Sequence, residues 1–212
     1  EVYYRVKARN VVGIESEWSE YKATATYASR PGSIGLSVEV SSLTARWDGG
    51  TPANPEGTRY QVRVSTFGYG DGIVGQSGYG ANRYEWTFSN GISANTSYYA
   101  EVRAMNPEPY NVETEWTQIP VKYTLIEKPT VEWLMIGQSS ITVKAVREGG
   151  EELSNPSSAF GNVTFTLIRP TGFTDYGYGT SEERTIENLL INTTYGIKVT
   201  ARNNDGVLNE GG

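Results

Sequence analysis

The chain has no cysteine and no histidine among its 212 residues. Without cysteine, no disulfide supports the fold and no thiolate serves as nucleophile or metal ligand. Without histidine, the commonest general base and the commonest zinc ligand are both missing. Catalysis would have to rest on carboxylates alone, as it does in some glycosidases. Positive charge is in deficit, with 18 Lys and Arg against 24 Asp and Glu, a net charge of −6. Such a surface repels phosphate backbones, which argues against nucleic acid as a partner. No apolar run approaches the ~20 residues that cross a bilayer as a helix, so no membrane span is expected in this segment. Helical periodicity is lacking as well. The nearest approach, Glu182-Glu183-Arg184, reads as a turn.

What the chain does contain is repetition. Ile92-Ser93-Ala94-Asn95-Thr96-Ser97-Tyr98-Tyr99-Ala100-Glu101-Val102-Arg103-Ala104-Met105-Asn106 and Leu189-Leu190-Ile191-Asn192-Thr193-Thr194-Tyr195-Gly196-Ile197-Lys198-Val199-Thr200-Ala201-Arg202-Asn203 carry Tyr, Val, Ala and Asn in register. Val6, Ala8 and Asn10 repeat the end of the phrase. The three closing asparagines are spaced by 96 and then 97 residues. A period near a hundred is a whole domain copied, and such a domain buries an adequate core without staples. Matching prolines, Pro31 and Pro129, stand 98 residues apart, each at the start of a strand, where a missing N–H is tolerated. Three units are expected: 1–28, the last two strands of a sandwich; 29–126, a complete sandwich; and 127–212, a sandwich lacking its last strand. The joints at 27–31 and 125–129 hold no Gly/Ser spacer, which predicts a stiff string rather than free beads.

Strand signals dominate each unit. Tyr60, Val62 and Val64 alternate with Arg59, Gln61 and Arg63; Tyr84, Trp86 and Phe88 alternate with Glu85 and Thr87. Val163, Phe165 and Leu167 do the same, as do Tyr195, Ile197, Val199 and Ala201. Period-2 alternation turns one apolar face inward and leaves the other wet. Strands bounded by Gly, Pro, Asn and Ser predict an antiparallel all-β sandwich.

Together these residues resemble the fibronectin type III family. Its sixth-strand phrase, Leu-x-x-x-Thr-x-Tyr-x-x-x-Val-x-Ala-x-Asn, is matched at Ile92, Thr96, Tyr98, Val102, Ala104 and Asn106, and again at Leu189, Thr193, Tyr195, Val199, Ala201 and Asn203. Its second-strand Trp is matched by Trp47 in Leu43-Thr44-Ala45-Arg46-Trp47. The resemblance implies tandem fibronectin type III-like, immunoglobulin-like β-sandwiches with Trp47, Tyr98, Val102, Tyr195 and Val199 in the cores. The Tyr ring is expected to pack under its corner while the hydroxyl reaches backbone. The third unit departs from the pattern, because Ala145 stands where Trp47 would align. Trp133 lies near in sequence but is expected to face away from that core. The first fragment departs too, with Val2 at the corner Tyr position. Asn54–Val62, Asn10–Ser19 and Val112–Thr117 resemble phrases of bacterial surface arrays, which implies large secreted or wall-attached proteins.

Two Tyr/Gly-rich stretches are candidate interaction loops: 67–80, with Phe67, Tyr69 and Tyr79 followed by Tyr84, and 172–179, with Phe173, Tyr176 and Tyr178. Tyr and Gly make adaptable, low-entropy contact surface, suited to a sugar or a neighbouring subunit; the same residues would equally serve as sheet cover. Neither run is a phosphate loop, since no Lys-Ser/Thr and no helix follow. Asp71, Asp175 and Asp205 sit beside Gly and read as turn residues, being too isolated for calcium. Asn95, Asn162 and Asn192 match the N-glycosylation pattern, although the corner phrase itself favours Asn and Thr.

The expectation is a non-catalytic, cofactor-free, extracellular or cell-surface segment of a bacterial repeat protein. It acts as a structural or adhesive spacer or scaffold that assembles into a fibre or surface layer. Its partners are protein, through self-association or neighbouring repeats, with carbohydrate as the second class. The rival readings are an accessory module of a secreted polysaccharide-degrading enzyme and a phage tail or host-recognition protein. For the open ends, one arrangement has further protein on both sides. Another has the opening hairpin of one copy complete the final unit of the next by strand addition, against which the final unit already holds its own strand at 195–203.

Overall fold

The computed structural model describes residues 2–155, 162–179 and 181–209. Among them there is no α-helix, and every strand pairing is antiparallel. The opening residues form a hairpin of β1 (Val2–Tyr4) and β2 (Lys22–Thr24). The first sandwich follows, from β3 (Gly32–Val38), β4 (Leu43–Asp48), β5 (Arg59–Gly68), β6 (Asp71–Gln76), β7 (Gly80–Ala81), β8 (Glu85–Phe88), β9 (Ser97–Met105) and β10 (Thr117–Tyr123). One sheet has the order β3-β4-β8; the other runs β10-β9-β5-β6, with β7 also on β5. The second sandwich repeats this plan with β11 (Pro129–Ile136), β12 (Ile141–Arg147), β13 (Val163–Arg169), β14 (Gly172–Gly179), β15 (Glu183–Ile186), β16 (Gly196–Arg202) and β17 (Leu208–Asn209). Its sheets are β11-β12-β15 and β14-β13-β16-β17. The last strand, expected to be missing, begins as β17, paired with Ala201 and Arg202.

The alternation in sequence becomes the two faces of each sheet. Tyr60, Val62 and Val64 on β5, and Tyr98, Ala100, Val102 and Ala104 on β9, are buried against Leu43, Ala45, Trp47 and Phe88 of the opposite sheet. Opposed sheets filled from their inner faces are the sandwich arrangement. Equivalent ladder positions link the two copies: Tyr60 pairs with Ala104 as Val163 pairs with Ala201.

The second core solves the missing tryptophan differently. In the first sandwich Trp47 lies against Tyr60 at 6.2 Å between ring centres. The matching positions of the second are Ala145 and Val163, both buried. Phe165, where the first sandwich has Val62, and Leu153, from the loop after β12, fill that volume together with Ile126 and Val143. Larger side chains at neighbouring positions thus stand where the ring is missing, which cores tolerate better than a void. Trp133 lies on β11 and is half exposed, outside this cluster.

Candidate functional site: aromatic hairpins and the joint between sandwiches

The corner tyrosines use their hydroxyls alike. The Ser93 N–H donates to the Tyr98 hydroxyl at 2.8 Å, and the Leu190 N–H donates to that of Tyr195 at 2.9 Å. Tyr98 is fully buried, whereas Tyr195 is partly open beside an exposed Leu190. Val102 and Val199 lie in the two cores.

The Tyr/Gly-rich stretches lie mostly in paired strands. Residues 67–76 make the end of β5, a turn at Tyr69-Gly70 and β6; residues 172–179 are β14. Most of their tyrosines are engaged within the chain. The Tyr69 hydroxyl donates to the Ile119 carbonyl at 2.7 Å, and its ring meets Tyr99 edge-on. Tyr79 donates to Glu113 while Arg103 lies over its ring. Burial first, then that bond, push the Tyr79 hydroxyl far above its ordinary pKa. Burial likewise raises Tyr69 and Tyr60. Tyr84 packs on Tyr60, Tyr176 lies under Arg184 and Tyr178 under Arg202. The two phenylalanines differ: Phe67 is 82% exposed and Phe173 75%, each on the hairpin of its own sandwich.

One cluster was not read from the sequence. Trp116 is flanked by Arg63 and Arg103, whose guanidinium carbons lie 4.2 and 4.6 Å from its ring centre. Arg63 pairs with Glu101 at 2.8 Å, and Arg103 pairs with Glu113 and with Gln61. The signal was present in the alternation, since Arg63 and Arg103 fall on outward positions of neighbouring strands. Stacked and ion-paired guanidiniums tie β5, β9 and the approach to β10 together. In the second sandwich the corresponding positions are Thr166 and Thr200, so this clamp is peculiar to the first. The hairpin carries a smaller version, with Arg5 and Lys7 over Trp18.

The three acceptor-pattern asparagines have different surroundings. Asn95 and Asn162 are each 2% exposed, and only Asn192 stands in solvent. Asp175 accepts from the Gly177 N–H and the Thr164 hydroxyl, which together hold its carboxyl below the usual range. Asp205 accepts from the Tyr123 N–H, and Asp71 opens β6 opposite Gly68.

The joint between the sandwiches is made without a spacer. After β10, the Thr124 N–H donates to Thr96 O and the Leu125 N–H to Glu39 O, both in the first sandwich. The next residue, Ile126, is fully buried in the second core. Side chains cross the same seam. Asn95 Nδ2 donates to the Asn155 carbonyl at 2.8 Å, and the Asn204 N–H donates to Asn95 Oδ1 at 2.8 Å. Asn155 Nδ2 donates in return to the Ala94 carbonyl and the Thr96 hydroxyl, both at 3.1 Å. Asn95 holds a φ of 45°, a conformation Asn tolerates better than most residues. At the earlier seam, the Ser29 N–H donates to Asn54 Oδ1 and Asn54 Nδ2 returns the bond to Ser29 O. Ala28 packs against the first core, in the place corresponding to Ile126.

The fold is therefore a tandem of fibronectin type III-like antiparallel β-sandwiches. Neither a protein-family model nor a curated protein sequence matches the chain. Solved structures do. A two fibronectin type III domain segment from chicken tenascin superimposes with a TM-score of 0.51 at 15% identity, covering 82% of this chain and 91% of that one. The chicken CNTN1 FN1–FN3 domains match at a TM-score of 0.36 and 16% identity, covering 96% and 73%. The chicken interferon gamma receptor alpha chain matches at 0.40 and 13%, covering 86% and 94%. The last two superimpose too loosely to carry weight, and at these identities the likeness concerns the fold.

Proposed function

We propose that the chain is a non-catalytic structural segment of an extracellular or cell-surface repeat protein, a spacer that holds distance and presents hairpin ends. The observation that carries this reading is the joint: Leu125 still bonds the first sandwich through its backbone, and the next residue, Ile126, is already in the second core, with asparagines bonded across the seam. The units of the proposed array are 1–28, 29–126 and 127–212, with Ala28 and Ile126 at the joints each packed on the core that follows. Chemistry of an enzymatic kind has little to work with. The carboxylates Glu101, Glu113 and Glu85 are ion-paired on sheet faces with Arg63, Arg103 and Arg46. Phe67 and Phe173 are the residues of the aromatic stretches most open to a protein partner, the contact through which a fibre or surface layer would be built. A bacterial surface array is the setting that the sequence phrases favour.

Negative-stain electron microscopy of the concentrated chain tests this. Rods, joined end to end or laterally, are expected. A particle with the two sandwiches folded face to face would overturn the spacer reading. Retention in affinity electrophoresis through soluble polysaccharide would move the reading to a carbohydrate-binding accessory module.

A further inference from the structure

The asparagine that closes each Val-x-Ala-x-Asn phrase does the same work at both seams. Asn106 Nδ2 donates to the carbonyl of Thr26, at the end of the hairpin. Asn203 Nδ2 donates to the carbonyls of Tyr123 and Thr124 at 3.0 and 3.2 Å, at the end of the first sandwich. The partners are 79 or 80 residues away in each case. A strand-end carbonyl of one unit is thus met by the same motif residue of the next.

The other end of that amide explains why its direction is fixed. Asn203 Oδ1 accepts from the N–H groups of Asp205 and Val207, closing the turn after β16. Asn10 makes the corresponding pair, with Val12 and Ile14. A planar amide whose oxygen is committed to its own turn must aim its nitrogen out of that turn. The nitrogen carries only donors, so it matches the orphan carbonyls of a departing strand. Asp would present a second oxygen there, and Ser would not span the gap.

The receiving side is built as well. Asn95, two residues before β9 of the preceding unit, bonds Asn204 and Asn155 of the following unit. Asp205 takes the Tyr123 N–H at 2.8 Å, beside the carbonyl that Asn203 takes. Donor and acceptor of one residue at the strand exit are therefore both read by the next unit.

We infer that this surface is a recognition element between consecutive sandwiches, and that its partner is another sandwich of the same kind. The motif asparagine reads the exit strand of the preceding unit, and the left-handed Asn95 turn receives the loops of the following one. The pairing fixes the angle between units. It rests on these contacts and not on the role proposed above, so it stands or falls separately from the spacer reading.

Nuclear magnetic relaxation on the full chain tests it, reading one rotational correlation time for each sandwich. Asn203→Asp keeps the oxygen that closes the turn and replaces the amide nitrogen with an oxygen facing two carbonyls. Asn95→Gly keeps the positive φ and removes the side chain from the other face of the seam. Asn192→Gly is the control, because Asn192 occupies the matching turn of the second sandwich with φ 53° and stands in solvent. Wild type and N192G are expected to tumble as one body. N203D and N95G are expected to lose that shared time and show two shorter ones, with core amides still protected from exchange. Independent tumbling in the wild type, or unchanged tumbling in N95G, would overturn the inference. N95G decides the matter alone if N203D unfolds the second sandwich, since residue 95 belongs to the first.

Discussion

Removing one hydroxyl from each corner tyrosine should have unequal consequences. Tyr98→Phe deletes the acceptor for the Ser93 N–H, 2.8 Å away, and the weaker contact at 3.4 Å with the Gly91 carbonyl. The ring stays, so the core beneath keeps its volume. The loss is a part-buried hydrogen bond whose acceptor sits on the fully buried Tyr98, about 1–2 kcal/mol. On a domain of this size that lowers the melting point by roughly 5–15 °C. Tyr195→Phe deletes the equivalent bond to the Leu190 N–H at 2.9 Å. There Leu190 is exposed and Tyr195 itself is partly open, and water replaces the lost partner. The expected cost is no more than about 0.5 kcal/mol.

Calorimetry of the intact chain is the assay, with tryptophan fluorescence assigning the transitions. Trp47, Trp86 and Trp116 lie in the first sandwich and Trp133 in the second. Y98F should move the transition that carries the first group, and Y195F should barely move the other. Equal shifts, or a Y98F cost below a few tenths of a kcal/mol, would refute the claim that burial of the corner sets the value of its bond.

Phe165 carries the volume that tryptophan supplies next door, so Phe165→Ala should cost about 3–5 kcal/mol, read as loss of the second sandwich's transition at physiological temperature. Gly50 holds φ at 77°, and a Cβ there would lie 2.2 Å from the Arg30 carbonyl oxygen. Gly50→Ala should therefore cost at least about 1–3 kcal/mol in urea denaturation followed at Trp47. Burial raises the Glu182 carboxyl above its usual range despite the opposing pull of Lys144. The folded state then holds that proton more tightly than the unfolded one. Its contribution is present in full below the ordinary glutamate range and is lost as pH rises through the folded value. Glu182→Gln should accordingly raise the second melting point at neutral pH, with the gain vanishing in acid, as a thermal scan from pH 3 to 8 would show.

Much of the fold was legible because it is written in short periods. Tyr60, Val62 and Val64 occupy every second position, and all three are fully buried. The corner phrases foretold a hydroxyl bonded to nearby backbone, five residues away in both copies. What escaped depends on partners remote in sequence. The Trp116 stack draws its cations from β5 and β9, and nothing local to Trp116 announces them. Leu153 enters the second core from a loop, where no alternation marks it. The tyrosines of residues 67–80 read equally as contact surface or sheet cover, because their composition is the same in both roles. Only the position of Ile119, Glu113 and Tyr60 shows which hydroxyls and rings are engaged. The closing asparagines were visible as a register mark, yet their bonds span 79 or 80 residues, beyond any local pattern.

The seam and the exposed aromatics are connected by geometry. Phe67 is the last residue but one of β5 and Phe173 the second of β14, so each rides on the hairpin of a sheet whose other strand, β9 or β16, is followed directly by a motif asparagine. A sheet is a stiff platform, and residues at its hairpin tip inherit its orientation. If the asparagine seam fixes one sandwich on the next, it also fixes Phe67 relative to Phe173. Two weak apolar contacts held at a set spacing bind a repetitive partner far better than the same contacts on free beads, because the second engages at high effective concentration. A loosened seam would leave each phenylalanine as exposed as before and each sandwich as stable. It would still remove the advantage, since the second contact would have to find its place anew.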